Sequence, residues 1–282
     1  MKIFDCFTFF NELDLLEFRL KLLYDVVDKF VICESNYTHS GKPKPYFFEQ
    51  NKERYQKWID KIVYLPIEQS IEDLKFEKVN GYTPTDGSWT LENQQRLGIT
   101  YAQDLMEDSD VILVGDLDEI PNPEVITYVR NGNVFLKHKS KAISLTLLFH
   151  YYYMNCQMEG FDRDWNGTVM CTGDFFKSNG PQYLRDNRNT FMRIPNAGWH
   201  FSYLGGSEKV KTKIESFAHT EFNRPDITSM DNINTSLKEG KDVLKRLGIN
   251  YKTVSIDRYP EVIKSLMVQY PQFLKNETEV VS

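Results

Sequence analysis

The stretch Asp110-Val-Ile-Leu-Val-Gly-Asp-Leu-Asp-Glu-Ile-Pro121 constrains this chain more than any other. Val111 to Val114 form a short apolar, mostly β-branched run bounded by Asp110 and Gly115, the pattern of a strand buried on both faces, as in a parallel sheet. Three acids follow, Asp116, Asp118 and Glu119, and then Pro121 and Pro123, which stop the strand. The carboxylates therefore stand at the strand's carboxyl end. In an open α/β sheet that end faces a ligand crevice. Oxygen ligands one residue apart suit Mg²⁺ or Mn²⁺ together with the phosphates of a nucleotide diphosphate. The plainer alternative is a solvated acidic turn.

The rest of the chain supplies a scaffold for such a turn. Strands are expected at Lys2–Phe10, Asp28–Glu34 and Lys61–Leu65, the last closed by Pro66. Helices are expected from Asn11 to Tyr24, Tyr46 to Trp58 and Thr90 to Met106. The order βαβαβ followed by α and β predicts an α/β fold, a mainly parallel central sheet with helices on both faces. Residues 66–87 read as a long loop, a candidate lid. A short helix follows Pro123, Lys141–Tyr153 reads as a long strand, and residues 154–206 read as a mixed or antiparallel region covering the crevice. From about Ser207 the chain turns helical, with helices at Glu208–Phe217, Ile227–Leu247 closed by Gly248, and Glu261–Met267. This divides the sequence into a main domain at 1–225 and a C-terminal helical extension at 226–282 packed on it.

Composition narrows the function classes. Aromatic residues make up 14% of the 282 residues, so the chain can build a large core. A net charge of −6 with no long Lys/Arg run excludes the electrostatic footprint of a nucleic-acid binder. No apolar run reaches the roughly 18 residues of a transmembrane segment, and the N-terminus, with Asp5 inside its apolar stretch, reads as a strand and not a signal peptide. Cys6, Cys33, Cys156 and Cys171 show no metal-type spacing, and the first two fall in core strands. The expectation is reduced thiols and a cytoplasmic protein.

Four pieces together resemble glycosyltransferase family 17. They are Asn11-Glu12-Leu13-Asp14-Leu15-Leu16-Glu17, Glu34-Ser35-Asn36 with Ser40-Gly41-Lys42-Pro43-Lys44-Pro45, Gly115 to Pro121, and Gly198-Trp199-His200-Phe201-Ser202-Tyr203. The pieces occur in family order within residues 1–225. The resemblance implies a GT-A-type, Rossmann-like fold, a UDP-sugar donor of the UDP-N-acetylglucosamine type, a divalent Mn²⁺ or Mg²⁺, and inverting transfer to a glycan acceptor.

Individual residues then acquire candidate roles. Asp116 and Asp118 match the family's D-x-D, as donor-phosphate contact and metal ligands. Glu34 ends the second strand at the same sheet edge and can accept hydrogen bonds from a uracil or ribose, unless it is a simple strand-end acid. Arg96 has the planar guanidinium that suits a diphosphate, or it pairs with Glu92 on the helix surface. Lys42 and Lys44 in the Pro-stiffened loop are donor or acceptor contacts, or ordinary loop lysines. His200, set among Trp199, Tyr203 and glycines, is a third metal ligand, a proton acceptor or a packed structural residue. Trp165, Trp199 and Tyr203 stack on sugar rings or belong to the core.

The base that an inverting transfer needs is not fixed by the sequence; Glu119, Asp174, His200 and Glu221 are candidates, and His219 with Glu221 are close enough to act together. Two other classes compete with the transferase: a Mg²⁺-dependent phosphohydrolase of the haloacid dehalogenase type, which also uses D-x-D at a strand end, and a non-catalytic carbohydrate-binding protein.

Overall fold

Alternation along the first strand, β1 (Ile3–Phe9), sorts the protein into layers. Ile3, Phe7 and Phe9 pack with helix α1 (Leu13–Leu23) and the C-terminal segment around Tyr259 and Ile263. Phe4 and Cys6 face the opposite layer, beside Ile99, Ala102 and Phe176. The next strand, β2 (Lys29–Ser35), divides in the same way, Phe30 and Ile32 to one side and Val31 and Cys33 to the other. Helices therefore cover both faces, as the sequence led us to expect. This computed structural model describes residues 1–77, 79–132, 140–160 and 163–276.

The remaining elements, in chain order, are α2 (Phe47–Gln50), β3 (Ile62–Ile67), α3 (Gly87–Leu97), β4 (Val111–Asp116), β5 (Glu119–Pro121), α4 (Pro123–Gly132), β6 (Ala142–Tyr151), β7 (Cys156–Met158) and β8 (Asp164–Thr172). Then come α5 (Gly173–Asp186), β9 (Met192–Ile194), β10 (Gly198–Ser202), α6 (Ser207–Ile214), α7 (Pro225–Thr228), α8 (Met230–Glu239), β11 (Tyr251–Thr253) and α9 (Glu261–Met267). The sheet runs β11-β7-β6-β8-β4-β1-β2-β3.

That sheet is mixed rather than purely parallel, and its antiparallel strands β7 and β8 fall in the region, 154–206, expected to be mixed or antiparallel. β3, β2, β1 and β4 are parallel, but β8 is antiparallel to both β4 and β6, and β7 is antiparallel to β6. The cause is connection length. A parallel pair needs a crossover of a dozen or more residues, and the short links between β6, β7 and β8 leave only antiparallel pairing. The C-terminal segment is likewise not all helical, because β11 extends the sheet beside β7.

Element ends also shift for identifiable reasons. Pro66 does not close β3, which continues to Ile67; β3 is the edge strand, where a missing N–H costs no ladder bond. The helix expected at Tyr46–Trp58 is a single α-turn followed by a 3₁₀ segment, Lys52–Lys61. α3 begins earlier than Thr90 because Asp86 caps it, accepting from the Ser88 N–H at 2.9 Å, and it passes into 3₁₀ after Leu97. The helix expected at Ile227–Leu247 breaks at Thr228 and ends at Glu239, where Gly240 takes the left-handed conformation.

The topology fixes where a ligand can sit. The chain builds outward from β1 through β2 to β3, then returns to the other side of β1 as β4. Such a reversal opens a crevice at the carboxyl ends of the two central strands. Thr8 of β1 and Asp116 of β4 are register partners at that end.

Candidate active site

The acidic turn leaves β4 at the reversal and is held from beneath by a residue of α1. Arg19 is fully buried, and its guanidinium forks onto Asp5 of β1 at 2.6 and 2.8 Å. Its remaining nitrogen donates to the carbonyls of Asp116, Leu117 and Glu119 at 3.0, 2.9 and 2.8 Å. Three carbonyls of a non-helical turn thus share one cation, and that of Glu119 also accepts from the Thr168 hydroxyl at 3.1 Å. Asp5 left a trace in the sequence as an acid inside an apolar strand, and Arg19 as a cation among the leucines of α1. Nothing local in the sequence says that the two meet.

Glu119 supports the same turn from the other side. It is fully buried on β5, accepting from the Asp116 N–H at 3.1 Å, the Trp165 indole at 2.7 Å and Arg185 at 2.7 Å. Gly115 is required here, since a Cβ would stand 2.5 Å from the Thr168 hydroxyl oxygen. Glu119 does not line the open cavity.

Above the turn lies a cavity of about 700 Å³, lined by Asp116, Asp118, Arg96, Arg185 and Lys213 at its charged part. Asp116 accepts from Arg185 at 2.8 Å, Arg96 at 3.3 Å and the Thr8 hydroxyl at 3.2 Å. Arg96 also binds Glu92 at 2.9 Å and Gln182 at 3.0 Å, so it contacts both the helix partner and the D-x-D acid. Asp118 receives Lys213 at 2.6 Å, and His200 Nε2 lies 3.4 Å away. Burial alone would raise both carboxyls. Arg185 and Arg96 outweigh it at Asp116, and Lys213 with His200 outweighs it at Asp118, so both acids sit well below the usual carboxylate range.

Arg185 and Lys213 carried no sequence signal, because each meets its acid across a long separation set by packing. α5 brings in Arg185, and α6 brings in Lys213. The aromatic part of the cavity is formed by Tyr82, Trp89, Phe217, His219 and Phe222. His200 stacks on Phe149 with centroids 4.5 Å apart, and Trp165 lies 5.1 Å from it. Tyr203 lines the wall with a positive φ of 59°, an uncommon conformation for a bulky side chain.

Other candidates lie elsewhere. Glu34 is fully buried and serves as a local anchor, accepting from the Phe47 and Phe48 N–H groups at 2.6 and 3.0 Å, Lys44 at 3.1 Å and Tyr64 at 3.0 Å. Burial raises its carboxyl and depresses the Lys44 ammonium. Lys44 reaches the cavity wall, but Lys42 is exposed and off it. Asp174 pairs with Lys141 away from the cavity, and Trp199 is a core residue. Glu221 accepts from Gly81 N–H at 3.2 Å and from His219 Nδ1 at 2.8 Å. Gly81 and Tyr82 bring the 66–87 connection to this wall.

Among the described residues, no three His, Cys, Asp or Glu side chains gather as a metal site. Mg²⁺ and Mn²⁺ keep waters and substrate phosphate oxygens, so one or two protein ligands suffice; Asp118 Oδ2 and His200 Nε2 lie 3.4 Å apart, with Lys213 Nζ on the same Asp118 oxygen at 2.6 Å. His200 Nδ1 is buried without a partner among the described residues. A ligating imidazole normally hands its second N–H to an acceptor, so of the two side chains the Asp118 carboxylate fits a divalent ion better.

Comparison with known proteins bears on the family of the chain. Human and rat proteins named beta-1,4-mannosyl-glycoprotein 4-beta-N-acetylglucosaminyltransferase are each 28% identical over 244 residues. The match covers 76% of this chain and 43% of the human protein, so the chain spans less than half the length of that relative. A solved mannose-6-phosphate isomerase from Helicobacter pylori aligns over 67% of this chain and 79% of its own at 12% identity, and its TM-score of 0.35 carries no argument. The profile of glycosyltransferase family 17 matches residues 1–281. The chain belongs to glycosyltransferase family 17.

Proposed function

We propose that this protein is a GT-A-type transferase that moves N-acetylglucosamine from UDP-N-acetylglucosamine to a glycan hydroxyl, with inversion at the anomeric carbon. The observation that carries this reading is the D-x-D turn at the β1/β4 reversal, with Arg96, Arg185 and Lys213 converging on its two acids in one cavity. Three cations beside two carboxylates form a polar cradle for a diphosphate. The names of the human and rat relatives support the transferred sugar and the acceptor class.

In this reading Arg96, Arg185 and Lys213 bind the diphosphate and offset the charge that grows on the departing nucleotide. Asp118, assisted by His200, holds a Mg²⁺ or Mn²⁺, which when bound adds Lewis-acid stabilisation of that leaving group. Arg19 and Glu119 keep the turn in register with β1 and β10. The aromatic wall of Tyr82, Trp89 and Phe222 gives sugar rings apolar faces to pack on and excludes water from the anomeric centre.

Isothermal titration with UDP, with and without Mn²⁺, tests the proposal. Metal-enhanced UDP binding is the expected result. A protein that binds glycan but no UDP is a carbohydrate-binding module, and one that releases phosphate from phosphomonoesters is a phosphohydrolase; either outcome removes the transferase.

A further inference from the structure

An inverting transfer needs a proton acceptor at the attacking hydroxyl, across the sugar from the departing diphosphate. The cavity acids nearest the D-x-D turn are poor choices. Asp116, Asp118 and Glu92 each hold a guanidinium or ammonium, and each is pulled below the usual carboxylate range against the effect of burial. His200 is committed too, with Nε2 toward Asp118 and Nδ1 buried.

One cavity-lining imidazole is differently placed. His219 Nδ1 is 2.8 Å from Glu221 Oε1, and no partner for Nε2 is present among the described residues. A carboxylate accepting the Nδ1 proton fixes the tautomer in which Nε2 carries the lone pair. The ring is held by Trp89, edge-on at 4.7 Å, and by Phe217 and Phe222 at 5.7 and 6.0 Å. Glu221 in turn receives the Gly81 N–H at 3.2 Å, while its Oε2 is buried with no partner among the described residues. That carboxylate has its negative charge available to stabilise an imidazolium beside it.

The spacing also suits a sugar. Trp89 and Arg96 both lie on α3, and seven residues of helix separate them by about 10 Å along the axis. His219, against Trp89, therefore stands roughly one donor sugar and one acceptor hydroxyl from the cations that would hold the diphosphate.

We infer that His219, oriented by Glu221, is the general base of the transfer. This rests on the transferase reading above. The acceptor O–H gives its proton to His219 Nε2 as the oxygen's electron pair forms the bond to the anomeric carbon. The bond from that carbon to the diphosphate oxygen breaks at the same time, and its electron pair leaves with UDP. Glu221 is a positioning residue and takes no proton.

The test uses the full chain with UDP-N-acetylglucosamine, Mn²⁺ and a mannose-containing N-glycan acceptor, following UDP release, UDP affinity and thermal stability together. His219→Ala is expected to keep UDP affinity while kcat falls by about 10²- to 10⁴-fold, and added imidazole is expected to restore part of the rate. Glu221→Gln, nearly isosteric, is expected to lower kcat with the donor KM unchanged. Wild-type kcat in His219→Ala, or a loss confined to UDP affinity, overturns the base assignment while leaving the transferase intact. A wild-type protein that binds no UDP overturns the donor reading, and the base with it.

Discussion

The Arg19 guanidinium donates to the Asp116 carbonyl at 3.0 Å across a separation of 97 residues, and this one contact couples the first helix to the acidic turn. Because the same side chain forks onto Asp5, the turn's geometry depends on a buried ion pair that no substrate touches.

Arg19→Met is therefore expected to destabilise the fold by about 3–5 kcal/mol, since it strands a buried carboxylate. Adding Asp5→Leu removes that stranded charge and is expected to recover much of the stability. The double variant still removes the donor that three turn carbonyls share, leaving only the Thr168 hydroxyl on that of Glu119, so UDP affinity should remain low. Urea denaturation and UDP titration of both variants check this. A single variant within 1 kcal/mol of wild type, as an order of magnitude for a neutral change, removes Arg19 from this role.

Asp118→Ala tests the acid that faces Lys213 and His200. The side chain lies on a turn beyond β4, so the stability loss should stay near about 1–2 kcal/mol. Transfer should fall by about 10²-fold or more, as for loss of a preorganised charge at a reacting centre. A rate equal to wild type with UDP-N-acetylglucosamine and Mn²⁺ would end the assignment.

Removal of divalent ions gives an independent check. Transfer is expected to collapse in excess EDTA and to return with Mn²⁺ or Mg²⁺. Undiminished turnover in EDTA would leave Arg96, Arg185 and Lys213 as the counter-charges and retire the metal.

A pH effect on stability is expected from His150, away from the cavity. Its Nδ1 donates to the Leu148 carbonyl at 2.9 Å, and Nε2 lies 2.8 Å from the Tyr259 hydroxyl, which donates to the Met154 carbonyl at 2.9 Å. Burial lowers its pKa from 6.5 to about 3. The folded pKa is depressed, so the unfolded chain binds the extra proton; stability is fully present above 6.5 and is lost as pH falls toward about 3. In that window His150 should contribute a slope of about 1.4 kcal/mol per pH unit. Chemical denaturation of wild type and His150→Gln at several pH values reads the difference, and equal slopes would refute it.

Much of the frame was legible because strand and helix signals are local. The β-branched run at 111–114 and the two prolines behind it located β4 and its turn, and the pieces around Glu34, Asp116 and His200 marked the family. Glu34 shows the limit of such reading: its position at the sheet edge was right, yet two backbone N–H groups, Lys44 and Tyr64 enclose it. A strand-end carboxylate looks the same in sequence whether it faces a ligand or caps a neighbouring turn.

By itself, the sequence determined the alternation of elements in the first half, the acids at the end of β4 and the absence of a nucleic-acid footprint, all properties of composition or of residues a few positions apart. Only the tertiary structure decided that β8 returns antiparallel between β4 and β6, that Arg185 and Lys213 answer Asp116 and Asp118, and that His219 meets Glu221 at the cavity wall. Arg185 and Lys213 reach their acids across 69 and 95 residues. Periodicity reports which face of an element is buried, but which charges meet at that face depends on how distant elements pack, and no local pattern encodes it.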